Sequence, residues 1–134
     1  MFLIDTMVLS ELRRRERNPD VVAWVSSQRH EDCFLSVVTL GEIERGIARQ
    51  QSADPAFAAQ LARWLDQLLR LYSDRLLPVD VGVARRWGQL SASMGHDGAD
   101  LLIAATALEH GLTVVTRNLK HFQPTGVSTF NPWG

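Results

Sequence analysis

Short, almost wholly apolar runs alternate with helix-patterned segments from one end of the chain to the other. That alternation constrains the fold more than any other feature. Phe2-Leu3-Ile4, Phe34 to Val38, Leu76 to Val79, Leu112 to Thr116 and Val127 to Phe130 each read as a strand. Strands without in–out alternation are covered on both faces. Separated by helices, they build a parallel α/β sheet. Helices are predicted over Val8 to Arg15, Val21 to Ser27, Thr39 to Arg49, Phe57 to Tyr72, Asp80 to near Gly95, and Asp100 to His110. Asn18-Pro19 and Ser52 to Pro55 read as turns, Gly111 as a helix stop, and Pro78 as the sign of an edge strand. The apolar arc of Phe57 to Tyr72 spans about 160°, wider than one core contact requires. Either it is wedged between two elements of its own domain, or it is shared with a partner chain.

A length of 134 residues corresponds to one domain, 1–134. Lys and Arg number 14 against 15 Asp and Glu, a net charge of −1. That excludes nucleic-acid binding by bulk charge but leaves room for a local basic surface. Only Lys120 is a lysine; the other 13 basic residues are arginine. The single cysteine, Cys33, excludes an internal disulfide and reads as a small buried residue. The four histidines show no metal-ligand spacing of the HExxH kind. No apolar run approaches the roughly 18 residues of a membrane span, and the N-terminus lacks a basic, signal-like region. A cytoplasmic location away from membranes is expected.

Ligands in parallel sheets bind at the carboxyl ends of the strands. Asp5 follows strand one, Glu42 opens the helix after strand two, Asp100 opens the helix before strand four, and Asn118 follows strand four. Each has an ordinary structural use. Asp5 suits a helix N-cap, Thr39-Leu40-Gly41-Glu42 fits a capping box, Asp100 complements a helix dipole, and Asn118 suits a turn. Together they say more. Three carboxylates at one sheet end repel one another unless a divalent cation neutralises them, and such a site suits phosphodiester hydrolysis.

The same residues carry a resemblance. Leu3-Ile4-Asp5-Thr6, Ser36 to Ile43, Asp100 to Ala107 and Val115-Thr116-Arg117-Asn118 occur in the order found in PIN-domain proteins. More narrowly, the chain resembles VapC-type toxins of bacterial type II toxin–antitoxin systems. Phe130-Asn131-Pro132-Trp133 is similar to the FitB-like branch. The resemblance implies a three-layer α/β/α domain with a five-stranded parallel sheet in the order 3-2-1-4-5. It implies a Mg²⁺- or Mn²⁺-dependent endoribonuclease, a small VapB- or FitA-like antitoxin that blocks the site and supplies DNA binding, and a homodimer within a larger assembly. On that basis Asp5 and Asp100 are the metal ligands. Glu42 completes the pocket by holding a metal-bound water or acting as its base, and Thr6 and Thr116 orient carboxylates.

Two positions depart from the family pattern. Met7 stands where many relatives have Asn, and a fourth acid is missing, since Asn118 and His121 occupy the two places it takes. The chain is therefore expected to have a weaker second metal position, or a single one. An alternative follows: a catalytically weak or inactive PIN domain that acts as a binding module in a toxin–antitoxin complex on DNA. Phosphoaspartyl chemistry fits less well. A haloacid-dehalogenase-type site needs an acid where Met7 stands, and a receiver-type site needs an acidic pair where only Asp5 is present.

For the RNA substrate, Arg45 and Arg49 lie three and seven residues beyond Glu42 on one helical side, a phosphate-facing stripe. Arg117 and Lys120 are further candidates, as are Arg85-Arg86. The run Arg13-Arg14-Arg15 with Arg17 reads first as dipole complementation at a helix end. The four tryptophans read as core or interface.

Overall fold

The computed structural model describes residues 1–134. Five strands form one parallel sheet: β1 (Phe2–Ile4), β2 (Cys33–Ser36), β3 (Leu76–Leu77), β4 (Thr113–Val115) and β5 (Thr129–Phe130). Their spatial order is β3-β2-β1-β4-β5, as expected. The helices are α1 (Thr6–Arg13), α2 (Pro19–Ser27), α3 (Val37–Ala53), α4 (Pro55–Leu71), α5 (Val81–Met94), α6 (Ala99–His110) and α7 (Leu119–Phe122). No helix is long and apolar enough to cross a membrane.

Side chains of a strand point alternately to the two faces, and the core divides accordingly. Ile4, Leu35 and Val115 join Val8, Leu9, Val21, Ile43, Leu65 and Leu68, on the side of α1 to α4. Leu3 and Val114 join Ile103, Ala104, Ala107 and Phe122, on the side of α6 and α7. Ala104, Ala105 and Ala107 are fully buried, small enough to let α6 lie close to its neighbours. Strand order reverses at β1, so the crevice between the carboxyl ends of β1 and β4 is the natural place for a ligand.

Several boundaries differ from the expected ones, each for a local reason. The second strand ends at Ser36, because the Ser36 hydroxyl accepts the Val38 N–H at 3.0 Å and caps α3. Helix α3 therefore starts at Val37, and Glu42 lies in its second turn rather than its first. The expected capping box does not form, and the buried Thr39 hydroxyl has no partner. Asn18 caps α2 by accepting the Asp20 and Val21 N–H groups, so that helix starts at Pro19. Asp54 ends α3 and caps α4 through the Phe57 N–H. Pro78 directly follows the two-residue edge strand β3. Gly95 and Gly111 take the left-handed conformation (φ 77° and 66°) that ends α5 and α6.

The wide arc of α4 is covered in part. Leu65, Leu68 and Tyr72 are buried against the sheet side, while Leu71 is 52% exposed and Leu69 is also on the surface. Arg75 fastens the end of this helix to the sheet by donating to Leu71 O at 2.7 Å, to Cys33 O at 2.8 Å and to His30 O.

Candidate active site

Asp5 stands at the reversal point of the sheet. Its N–H donates to Val115 O at 3.0 Å, extending the β1–β4 ladder by one bond, and its C=O accepts the Val8 N–H and opens α1. It occupies the N-cap position of α1, yet its side chain caps nothing. The carboxylate instead accepts the Thr116 hydroxyl, Oγ1 to Oδ2, at 2.8 Å. Asp5 is 5% exposed. Burial pushes its carboxyl up from 3.8 to about 6, against the pull of the Thr116 hydroxyl and the Thr6 backbone, and the charges of Asp100 and Glu42 push it further the same way.

The remaining acids are also held by named partners. Thr6 Oγ1 donates to Glu42 Oε1 at 2.9 Å, joining the first turn of α1 to α3. Asp100, in the first turn of α6, has Oδ2 at 2.7 Å from His121 Nδ1 on α7. Asn118 Nδ2 lies 2.9 Å from the same ring nitrogen. The Asn118 N–H donates to Thr116 Oγ1 at 2.9 Å, so Thr116 links the loop after β4 to Asp5. The structure thus brings Asp5, Thr6, Glu42, Asp100, Thr116 and Asn118 to one end of the sheet. It also places His121 directly on Asp100.

Two clefts open at these acids, and Glu42 lines both. One, of about 480 Å³, lies beside Asp100, His96, Lys120 and His121. The other, of about 530 Å³, lies beside Thr6, Glu11, Arg13, Arg14, Arg117 and Trp133. Arg45 and Arg49 are exposed and line neither cleft. Glu11 escapes a reading for chemistry because it falls within the apolar stripe of α1, three residues after Val8. An acid on the buried face of a helix was the signal for it.

The donor chemistry fits a hard divalent cation. The acids supply oxygen ligands, and a carboxyl that burial, with neighbouring charge adding to it, holds up near 6 is a group that a cation relieves. No three acidic, imidazole or thiol groups close on a common point. A Mg²⁺-type site does not need them to, since one or two carboxylates, waters and substrate phosphate complete its shell.

The sequence model of the PIN domain matches residues 2–125. The chain belongs to the PIN-domain family. It is 38% identical over 138 residues to Toxin FitB of Neisseria gonorrhoeae, covering 99% of each chain. It is 34% identical over 138 residues to VapC ribonuclease Y4jK of Sinorhizobium fredii, covering 99% of this chain and 98% of the relative. Among solved structures, FitAcB from Neisseria gonorrhoeae superimposes with a TM-score of 0.87 at 39% identity, covering 99% of each chain. FitAB bound to an IR36 DNA fragment gives a TM-score of 0.86 at 37% identity, covering 100% of this chain and 96% of that one. The expected family and sheet order are both borne out.

Proposed function

We propose that this chain is a Mg²⁺- or Mn²⁺-dependent endoribonuclease, acting in the cytoplasm as the toxin of a toxin–antitoxin pair. A cognate VapB- or FitA-like antitoxin inhibits it. The assembly is built on a toxin homodimer and reaches DNA only through the antitoxin. The observation that carries the reading is Asp5, buried where the strand order reverses, with Asp100 and Glu42 raising its carboxyl further. Likeness to FitB and to a VapC ribonuclease over nearly the whole chain supports the substrate class and the partner.

In this reading Asp5 and Asp100 would hold the cation, with the Asn118 amide beside them. When bound, such a cation activates a water, polarises a phosphoryl oxygen and offsets charge on the leaving oxygen. The chain's own residues do the positioning. Thr116 holds Asp5 and Thr6 holds Glu42, so neither carboxylate has to reorganise when RNA arrives. Thr6 engages Glu42 Oε1, which leaves Oε2 to orient the attacking water or take its proton. Lys120 and Arg117, on opposite sides of Glu42, draw the phosphodiester backbone across the acids.

The test is cleavage of single-stranded RNA with Mg²⁺ or Mn²⁺ by antitoxin-free protein, wild type against Asp5→Asn. Cleavage by the wild type alone is expected, and added antitoxin should suppress it. Equal cleavage by both proteins would overturn the assignment of Asp5. A wild type that cleaves no RNA would favour the inactive binding module, the reading that draws on the engagement of Asp100 by His121.

A further inference from the structure

Helix α1 carries a buried carboxylate that phosphodiester hydrolysis does not use. Glu11 is 6% exposed, yet it is fully partnered. Oε2 accepts the Asn18 N–H at 2.8 Å, and Oε1 accepts Arg14 Nη1 at 3.1 Å. The Asn18 N–H, then Arg14, and the nearby charge of Arg117 hold its carboxyl below the ordinary range. Arg117 arrives from a different element, the loop after β4, with its guanidinium 5.3 Å from the centre of the Trp133 ring.

Glu11 thus holds Arg14 directly, and Arg117, stacked on Trp133, adds its charge nearby, so two guanidiniums from two elements surround one carboxylate, a local excess of positive charge. Each has five N–H donors, and a single carboxylate or a ring stack leaves most of them free. The Arg14 side chain is 61% exposed. Arg13, by contrast, is spent on packing, over the rings of Phe57 and Trp64. Arg14 and Arg117 both line the cleft that ends at Glu42. A polyanion that reaches the acids along this cleft passes both. Clefts of about 480 and 530 Å³ are the size of small-ligand sites.

We infer that Arg14, positioned by Glu11, and Arg117, positioned by Trp133, form a two-arginine clamp that grips the phosphates of single-stranded RNA to one side of the scissile bond. This rests on the ribonuclease reading and adds a substrate subsite to it. Glu11 is a positioning residue: it fixes the Arg14 fork and touches no substrate.

The test measures binding of a fluorescent single-stranded RNA to the cleavage-deficient Asp5→Asn chain across a salt series. Each phosphate contact contributes a slope of about 0.7 to the fall of log K with log salt for single strands. Arg14→Gln and Arg117→Gln are each expected to lower the slope by about 0.7, and the pair by about 1.4. Arg→Lys at both positions should keep the slope while losing part of the affinity, because charge remains and the fork does not. Glu11→Gln separates positioning from bulk charge. Loss of a negative charge alone would tighten binding to a polyanion, whereas loss of positioning weakens it and lowers the slope. RNA binding with a slope unchanged by the Arg→Gln substitutions would overturn the clamp and leave the ribonuclease reading standing. So would unchanged RNA binding together with weakened antitoxin binding, which would make the cleft a protein-docking surface. An Asp5→Asn chain that binds no RNA would overturn both.

Discussion

Two carboxylates, Asp5 at the N-cap of α1 and Glu11 within it, are almost equally shielded from solvent, and their surroundings push them in opposite directions. Asp5, at the start of the helix, loses its solvation with only one hydroxyl and a backbone group to offset that, two like charges add to the push, and its carboxyl rises to about 6. Glu11, two turns later, meets a backbone N–H and an arginine, and its carboxyl falls. Burial alone therefore does not mark an active group. What separates the two is whether the protein itself completes the charge. Glu11 is completed from within, and it organises its surroundings. Asp5 is left short of positive charge, which is the condition for binding a cation.

The largest expected effect follows from that shortage. Asp5→Asn should abolish detectable RNA cleavage and, in chelator, stabilise the fold. The folded protein holds the Asp5 proton up to about pH 6, whereas the unfolded chain releases it near 3.8. Stability is therefore lost as pH rises through that window, and the whole penalty is present above it. At about 1.4 kcal/mol per pH unit the penalty is about 3 kcal/mol. Urea denaturation at pH 7.5 should show Asp5→Asn gaining up to about that amount, with the two proteins converging at pH 3. A loss of stability at pH 7.5 would mean that Asp5 is completed by the protein, as Glu11 is.

Thr116→Val comes next. It removes the hydroxyl that donates to Asp5 and accepts from the Asn118 N–H. Loss of such an outer partner costs roughly 10- to 100-fold in activity or metal affinity. The acid limb of the pH–rate profile should move upward, since the Thr116 bond lowers the Asp5 value. Thr116→Ser should restore both. Glu11→Gln should give the opposite stability trend to Asp5→Asn. A lowered folded-state value stabilises above the ordinary 4.5 and loses that contribution as pH falls through the folded value. The variant is expected to be less stable than wild type at pH 7 and to match it in strong acid. A deficit that persists at pH 2 would show that Glu11 acts by packing alone.

The same contrast explains what was legible in the sequence. Apolar strands, glycine stops and the acids just beyond strand ends are local patterns, and Asp5, Glu42, Asp100 and Thr116 meet where those patterns put them. Helix starts were less legible because competing caps decide them. Ser36 rather than Thr39 caps α3, and Asn18 captures two N–H groups ahead of Val22. The His121–Asp100 contact depends on how α7 folds back over α6, a tertiary event without a local signature. Glu11 falls in the apolar stripe of α1, but its partners, the Asn18 N–H and Arg14, emerge only when the chain beyond the helix turns back onto it.

Asn118 and His121 bear on how much charge the site brings to a cation. Asn118→Asp or His121→Asp adds a carboxylate beside Asp100, and calorimetric Mn²⁺ titration should show binding tightened by about tenfold. Unchanged affinity in both variants would count against a weak or single metal position.

The smallest effect is expected at Arg45 and Arg49, and it sharpens the comparison between the two sides of the site. Helical spacing puts both on the side of Glu42, but a rise of 1.5 Å per residue carries Arg49 roughly 10 Å along α3 from it. Both are exposed, and neither lines the clefts that meet at the acids. Exposed substitutions away from such features usually change free energies by less than about 0.5 kcal/mol. The Arg45→Gln/Arg49→Gln pair should therefore alter RNA affinity by less than about 2-fold, with the salt slope unchanged. A slope loss matching that of Arg14→Gln/Arg117→Gln would route the RNA along α3. The strand would then leave the acids over a helix with no buried carboxylate to fix its arginines, and the contrast between Glu11 and Asp5 would no longer describe how substrate is held.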